Sequence, residues 1–299
     1  MQRELRVVDG GLATELERAG ADLSGGLWSA RLLLEEPALI REVHRAYYAA
    51  GADIAITASY QASYSGFATI GLDKAATDRL LYRSVELAAE ARRMVSAEGA
   101  RPRWVAASVG PYGATLHDGS EYRGDYDLTP AELFEFHAER LAVLAGAGAD
   151  VLACETIPSL EEAEALLQAL RRVPEARAWM SFTSRDDRHT AHGEPLVDCA
   201  RALDPEPQIV ALGVNCVRPD LTAALIRELR KGSGKPIVVY PNSGEVWDGV
   251  AQRWCGAASA TPLGTLVDEW LEAGATWIGG CCRTTPADIA VIRERVDRM

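Results

Sequence analysis

The sequence predicts an α/β fold, a single (β/α)8 TIM barrel spanning residues 1–299. Three observations lead there. Eight short apolar runs lack polar alternation, the mark of parallel strands buried on both faces. Longer amphipathic stretches separate the runs, and eight strand–helix units in strict alternation point to a (β/α)8 barrel. Three junctions repeat: "AGADIAI", "AGADVLA" and "AGATWIG" each end a helix on glycine and enter a strand at once.

Taken in order, the strands are placed in "LRVVDGG" (5–11), "ADIAITASY" (52–60), "RWVAASVGP" (103–111) and "ADVLACET" (149–156). They continue in "ARAWMSFTS" (176–184), "QIVALGVNC" (208–216), "KPIVVYPNS" (235–243) and "ATWIGGCC" (275–282). Among the helices, "PALIREVHRAYYAAG" (37–51) starts on a proline suited to a first turn and stops at Gly51. "TPAELFEFHAERLAVLAGAG" (129–148) opens on Thr129 with Glu132 three residues later, a capping box. Residues 159–173, 218–232, 261–274 and 285–299 have the same form. Long non-helical stretches, 112–128 and 242–260, follow strands 3 and 7, and in a barrel such loops lie on the catalytic face. No linker or low-complexity segment divides the chain.

Bulk properties narrow the function. A formal charge of −12 argues against nucleic-acid binding, which depends on Lys and Arg neutralising phosphates. No apolar run is long enough to span a membrane. "MQRELRVVDGG" has no apolar leader, so a cytoplasmic protein is expected. Six cysteines (154, 199, 216, 255, 281 and 282) in a reducing compartment point to metal ligands or catalytic groups rather than a disulfide framework.

Residues just past each strand meet around one mouth. Cys216 ends strand 6, and Cys281 and Cys282 end strand 8, with one strand between them. Three thiolates there suit zinc and leave a fourth position open. A Cys281–Cys282 disulfide is the other reading, but adjacent cysteines bridge only with strain and Cys216 is left without a role. Gly279 and Gly280 are expected to leave the strand conformation, with φ above zero available to them, so that both sulfurs face one ion. Asp9 and Glu155 offer two carboxylates for an ammonium group. The backbone N–H groups of Gly10 and Gly11 offer a place for a carboxylate, and together they specify an α-amino acid. Ser59, Tyr60 and Gln61 end strand 2, Asn215 strand 6, and Tyr240 and Asn242 strand 7. Cys154, Cys199 and Cys255 read as packing residues. His189 and His192, in a polar loop, read as surface residues.

The motifs "VVDGGLATELE" (7–17), "GPYGATLHDGSEYRGDY" (110–126), "CETIPSLEEA" (154–163), "GVNC" (213–216), "YPNSGEVWD" (240–248) and "GGCC" (279–282) resemble the homocysteine S-methyltransferase family over residues 5–297. The resemblance implies a zinc enzyme that methylates homocysteine to methionine. It implies Cys216, Cys281 and Cys282 as zinc ligands, and Asp9 and Glu155 at the homocysteine site. Gly10, Gly11, Ser59 and Asn215 complete the expected substrate-binding set. The loop motifs resemble the branch that uses S-methylmethionine, with S-adenosylmethionine as a second donor. Trp28, Gln61, Thr156, Tyr240 and Asn242 are the donor-side candidates. Gln61 and Thr156 stand where the betaine-using branch has tyrosines of a cation–π cage, which argues against betaine. Small molecules are the expected partners. Two alternatives stay open at this point: methyl transfer to another thiol or selenol such as selenocysteine, and a non-enzyme that senses redox state or stores zinc.

Overall fold

Eight parallel strands form the centre of the protein: β1 (Arg6–Val7), β2 (Ile54–Ile56), β3 (Trp104–Val109), β4 (Val151–Ile157), β5 (Ala178–Phe182), β6 (Ile209–Asn215), β7 (Ile237–Tyr240) and β8 (Trp277–Ile278). The structure, a computed structural model, describes residues 4–23, 27–96, 101–248 and 253–299. Each strand pairs with the next, and β8 pairs with β1. A Val8–Ile54 bridge, with Asp53 N donating to Val7 O and Asp9 N to Ile54 O, joins β1 to β2 and closes the ring. The expected barrel is therefore the observed one.

The strands are shorter than the apolar runs that signalled them. Residues at the end of each run leave the ladder and form the rim, so sequence hydrophobicity outlasts strand geometry there. Inside the ring, Ala106, Ala153 and Ala211 make room for Trp179, Tyr240 and Trp277. The Trp179 indole N–H donates to the Tyr240 hydroxyl (2.9 Å), so this large buried pair satisfies its own polar atoms. At the other end, the Arg6 guanidinium lies 4.0 Å from the Trp104 ring centre and 5.0 Å from that of Trp277. It plugs the N-terminal end of the barrel with a cation–π contact. The larger core fills the space between strands and helices.

The helices start and stop where their caps direct. Thr129 and Glu132 form the expected capping box at the helix Pro130–Gly146. Thr285 donates its N–H to Asp288 Oδ2 (2.8 Å) ahead of Pro286–Val296. Gly51 follows the helix Pro37–Ala49 with φ +109°, a conformation that glycine adopts without strain. Helices Leu12–Arg18, Trp28–Glu35 and Tyr64–Ala68 are additions to the eight-unit pattern. Cys154 and Cys199 are buried in the core as expected. His189 and His192 pair with Asp186 and Glu194 in the loop after β5, each at 2.9 Å.

Candidate active site

The three sulfurs of Cys216, Cys281 and Cys282 lie within 4.8 Å of one another. Backbone geometry brings them there. Cys216 follows β6 with φ +49°, and its N–H bonds Tyr240 O (3.1 Å). Beyond β8 the chain stays clamped between its neighbours: Gly279 N donates to Val239 O (2.9 Å), Gly280 N to Asp9 O (3.0 Å) and Cys281 N to Pro241 O (2.8 Å). The turn then comes at Arg283, with φ +67° and its N–H on Thr14 Oγ1 (2.8 Å). Gly279 and Gly280 are not among the residues with positive φ. Their need for glycine is spatial, which corrects the expectation. A Cβ on Gly279 would stand 2.7 Å from Asp9 O and from Val8 Cβ, and one on Gly280 would collide with the Thr284 hydroxyl.

Cys216 and Cys281 are joined as a disulfide, and Cys282 is free. This differs from the Cys281–Cys282 bridge weighed from the sequence and leaves the three-cysteine cluster intact. The vicinal pair is not bridged; the bond spans two strand ends whose Cα atoms are 5.6 Å apart, a usual bridging distance. Cys282 Sγ lies 3.8 Å from Cys216 Sγ and 3.9 Å from Cys281 Sγ. Burial pushes the Cys282 thiol up to about 12, and the charges of Glu155 and Glu121 push the same way. A thiol in such surroundings ionises only beside a cation. With the disulfide reduced, three converging sulfurs of this kind form a donor set that fits a soft metal ion.

Glu155 and Thr156 occupy a register irregularity in β4, between Cys154 and Ile157, and both reach the cavity. Thr156 has φ +60° and is held by Asn215: its N–H donates to Asn215 Oδ1 and Asn215 Nδ2 donates to its hydroxyl, both at 2.7 Å. Asn215 also accepts from Ser181 Oγ (2.7 Å). The Ser108 hydroxyl donates a short bond to Glu155 Oε1. Burial raises the Glu155 carboxyl to about 7 against the lowering pull of its bonds to Ser108 and Tyr240. Asp9 is 1% exposed and accepts from Ile56 N (2.9 Å). Burial, then the charge of Glu155, holds its carboxyl well above the usual range, with the Ile56 bond acting the other way.

These residues surround a cavity of about 920 Å³. Gly10, Gly11, Gln61, Glu155, Thr156, Tyr240 and all three cysteines line it. Asp9, Ser59, Asn215 and Asn242 stand behind the wall. Ser59 donates to Ser108 O (2.8 Å), and Asn242 accepts from Gly244 N (2.8 Å). The N–H of Gly11 is directed at Thr284 Oγ1 (3.2 Å), which leaves the free amides at this end to the first turn of the helix Leu12–Arg18. Trp28 begins a helix, but its side chain lies outside the described residues.

The loop after β3 supplies wall residues that strand-end reasoning missed: His117, Glu121 and Tyr122, with Tyr60 from the β2 end beside them. The loop winds into two short helices, Tyr112–Thr115 and Ser120–Tyr122, packed so closely that a Cβ on Gly113 would lie 2.6 Å from Glu121 N. A buried network anchors its start. Glu162 Oε1 accepts from Tyr112 N (2.6 Å) and His137 Nε2 (2.9 Å), while Arg140 Nη2 donates to Gly110 O (2.6 Å) and lies 3.0 Å from His137 Nδ1. Burial lowers the His137 pKa, and because the guanidinium can only donate, the ring accepts at Nδ1 and donates from Nε2 to Glu162. The signal for these wall residues was "DGSEY", inside a stretch already assigned to the catalytic face.

Comparison with known proteins places this geometry. The sequence model described as homocysteine S-methyltransferase matches residues 6–296. The chain is 52% identical over 293 residues to homocysteine S-methyltransferase YbgG of Bacillus subtilis, covering 96% of this chain and 93% of that one. It is 50% identical over 297 residues to homocysteine S-methyltransferase of Escherichia coli, covering 98% and 96%. Crystal structures of the homocysteine methyltransferase MmuM from Escherichia coli superpose with TM-scores of 0.89 for the metallated form and 0.88 for the oxidized form. Sequence identity is 48% and 49%, and each covers 98% of this chain and 97% of the other.

Proposed function

The chain belongs to the homocysteine S-methyltransferase family, and from that premise we propose that it carries a methyl group from a sulfonium donor to L-homocysteine, giving methionine. S-methylmethionine is the first donor and S-adenosylmethionine the second. The reading rests above all on one observation: three sulfurs from two strand ends converge on a cavity that also exposes Glu155.

Cys216, Cys281 and Cys282 hold zinc in the working enzyme, after the Cys216–Cys281 link is reduced. A reducing compartment, the cytoplasm, suits that requirement. Zinc held there supplies a Lewis acid that keeps an incoming thiol deprotonated at neutral pH. Glu155, with Asp9 behind it, takes the homocysteine ammonium. The free amides in the first turn of the helix Leu12–Arg18, beside Gly10 and Gly11, take its carboxylate. These contacts fix the substrate sulfur beside the cysteine cluster. Gln61, Thr156 and Tyr240 shape the donor side, and Asn215 keeps Thr156 in place. Ser59 and Asn242 support the wall from behind. The methyl moves in line from one sulfur to the other, and the donor's positive charge vanishes as it does. No general base is required once the thiol proton has gone.

The test is methionine formation from homocysteine with S-methylmethionine, S-adenosylmethionine and betaine in parallel, on reduced protein with and without chelator. About one zinc per chain is expected, lost on Cys216→Ser, Cys281→Ser or Cys282→Ser. A zinc-free protein that retains full activity refutes the assignment.

A further inference from the structure

We propose that Glu121 is the counter-ion for the methyl donor, the residue that makes the cavity select a positively charged methyl carrier. The inference rests on the donor reading above and deepens it. Glu121 sits on the one-turn helix Ser120–Tyr122 and is only 9% exposed, yet it lines the same cavity as the cysteine cluster. Its Oε2 is buried and has no hydrogen-bond partner. A buried carboxylate that has its own backbone N–H but leaves one oxygen unbonded is costly to keep, and a cationic ligand would complete it.

The nearby cations are engaged elsewhere. Arg123 is half exposed and bonds Asp125, Asp118 O and Ser120 Oγ. His117 spends Nε2 as the acceptor of Leu27 N (3.2 Å), and burial favours its neutral form. Glu155 differs from Glu121 because Ser108 and Tyr240 already bond it. Burial pushes Glu121 up to about 7, a shift that a bound cation would reverse. The charge of Glu121 acts on Tyr60 and Tyr122, which line the cavity with it, and on Cys282. A cation held here therefore lies within electrostatic reach of the sulfur cluster, with two aromatic rings in the same wall.

Each substrate brings its own positive charge. Homocysteine has an ammonium for Glu155. S-methylmethionine carries a net positive charge that needs a second carboxylate. In the transfer, the donor's S–CH3 bond breaks with its electron pair staying on the donor sulfur, and the homocysteine thiolate forms the new S–CH3 bond. The sulfonium charge is present before the transition state and fades within it. A counter-ion for that charge stabilises the bound donor more than the transition state, so it lowers the donor KM without raising kcat.

The experiment uses the zinc-loaded, reduced full chain and Glu121→Gln, which keeps the side-chain shape. The expected result is a rise in the S-methylmethionine KM of at least roughly tenfold, for the loss of one poorly screened charge–charge contact. The homocysteine KM and zinc content stay at wild-type values, and kcat does not fall. Iodomethane, a neutral methyl donor, methylates homocysteine on the variant as fast as on the wild type. The charge-keeping Glu121→Asp recovers part of the loss. An unchanged S-methylmethionine KM overturns the proposal, as does an equal loss with iodomethane. If wild-type protein turns over homocysteine with iodomethane but with no sulfonium, the donor reading itself falls, a result distinct from failure of Glu121 alone.

Discussion

Replacing Gly279 with alanine tests why the cysteine-bearing segment begins on two glycines. The added Cβ would stand 2.7 Å from Asp9 O, 2.7 Å from Val8 Cβ and 2.8 Å from Val8 O. Two of these atoms are backbone in β1 or its extension, so no flexible side chain can yield. Forced overpacking of this kind costs about 1–3 kcal/mol. For a chain of this length the melting temperature should fall by roughly 2–6 °C. The same shift would disturb the Gly280 N to Asp9 O and Cys281 N to Pro241 O bonds, which fix the sulfurs. Zinc affinity should therefore fall by roughly tenfold for each 1.4 kcal/mol of strain expressed at the site. Gly234→Ala is the control. A Cβ there meets nothing within 4 Å and the backbone is not left-handed, so it should be neutral or stabilise by about 0.4–1 kcal/mol. The assays are thermal unfolding with and without zinc, and chelator competition. If Gly279→Ala matches wild type in both, the steric account of the paired glycines is wrong.

The Glu155 carboxyl, raised to about 7 in the ligand-free protein, gives a pH prediction. Its ionised form binds an ammonium, so affinity should weaken as pH falls below 7, approaching tenfold per pH unit at the limit. Methionine as a product inhibitor isolates this effect, since it carries the ammonium without a thiol proton; an inhibition constant flat from pH 8 to pH 5.5 contradicts it. Glu162→Gln removes the buried charge that gathers His137 and Tyr112 N. It should destabilise the protein by about 3–5 kcal/mol by removing the negative charge that offsets the buried Arg140, read by denaturant unfolding, and an unchanged midpoint would contradict that.

The barrel and the cysteine cluster were legible for different reasons. Strand and helix order follows from apolar patterning and caps, which are local. The cluster follows because the fold carries strand ends 6 and 8 to one mouth, whatever the chain distance between them. Parity was harder to read. Neighbouring residues leave a strand end in opposite directions, so Cys216 faces the cavity while Asn215 turns back to hold Thr156. Counting every strand-end residue as wall therefore overcounted Asp9, Ser59, Asn215 and Asn242. Glu121 escaped for another reason. It lies well beyond β3, and only the folding of a loop into two short helices brings it inward. Which two of the three sulfurs pair was also out of reach, since all three meet at one mouth and spacing does not rank their separations.

Arg6, wedged between Trp104 and Trp277, has a kinetic consequence. It caps an interior already filled by Trp179, Tyr240 and Trp277, so the cavity is reached from the strand-end mouth and not through the barrel. Two substrates must enter and two products leave by the same passage, and they must queue. Whichever amino acid settles deeper has to arrive first, and its product must wait for the outer one to depart. Ordered kinetics, with the deeper product inhibiting competitively against the deeper substrate, is the outcome expected of a barrel filled and capped beneath its sulfurs.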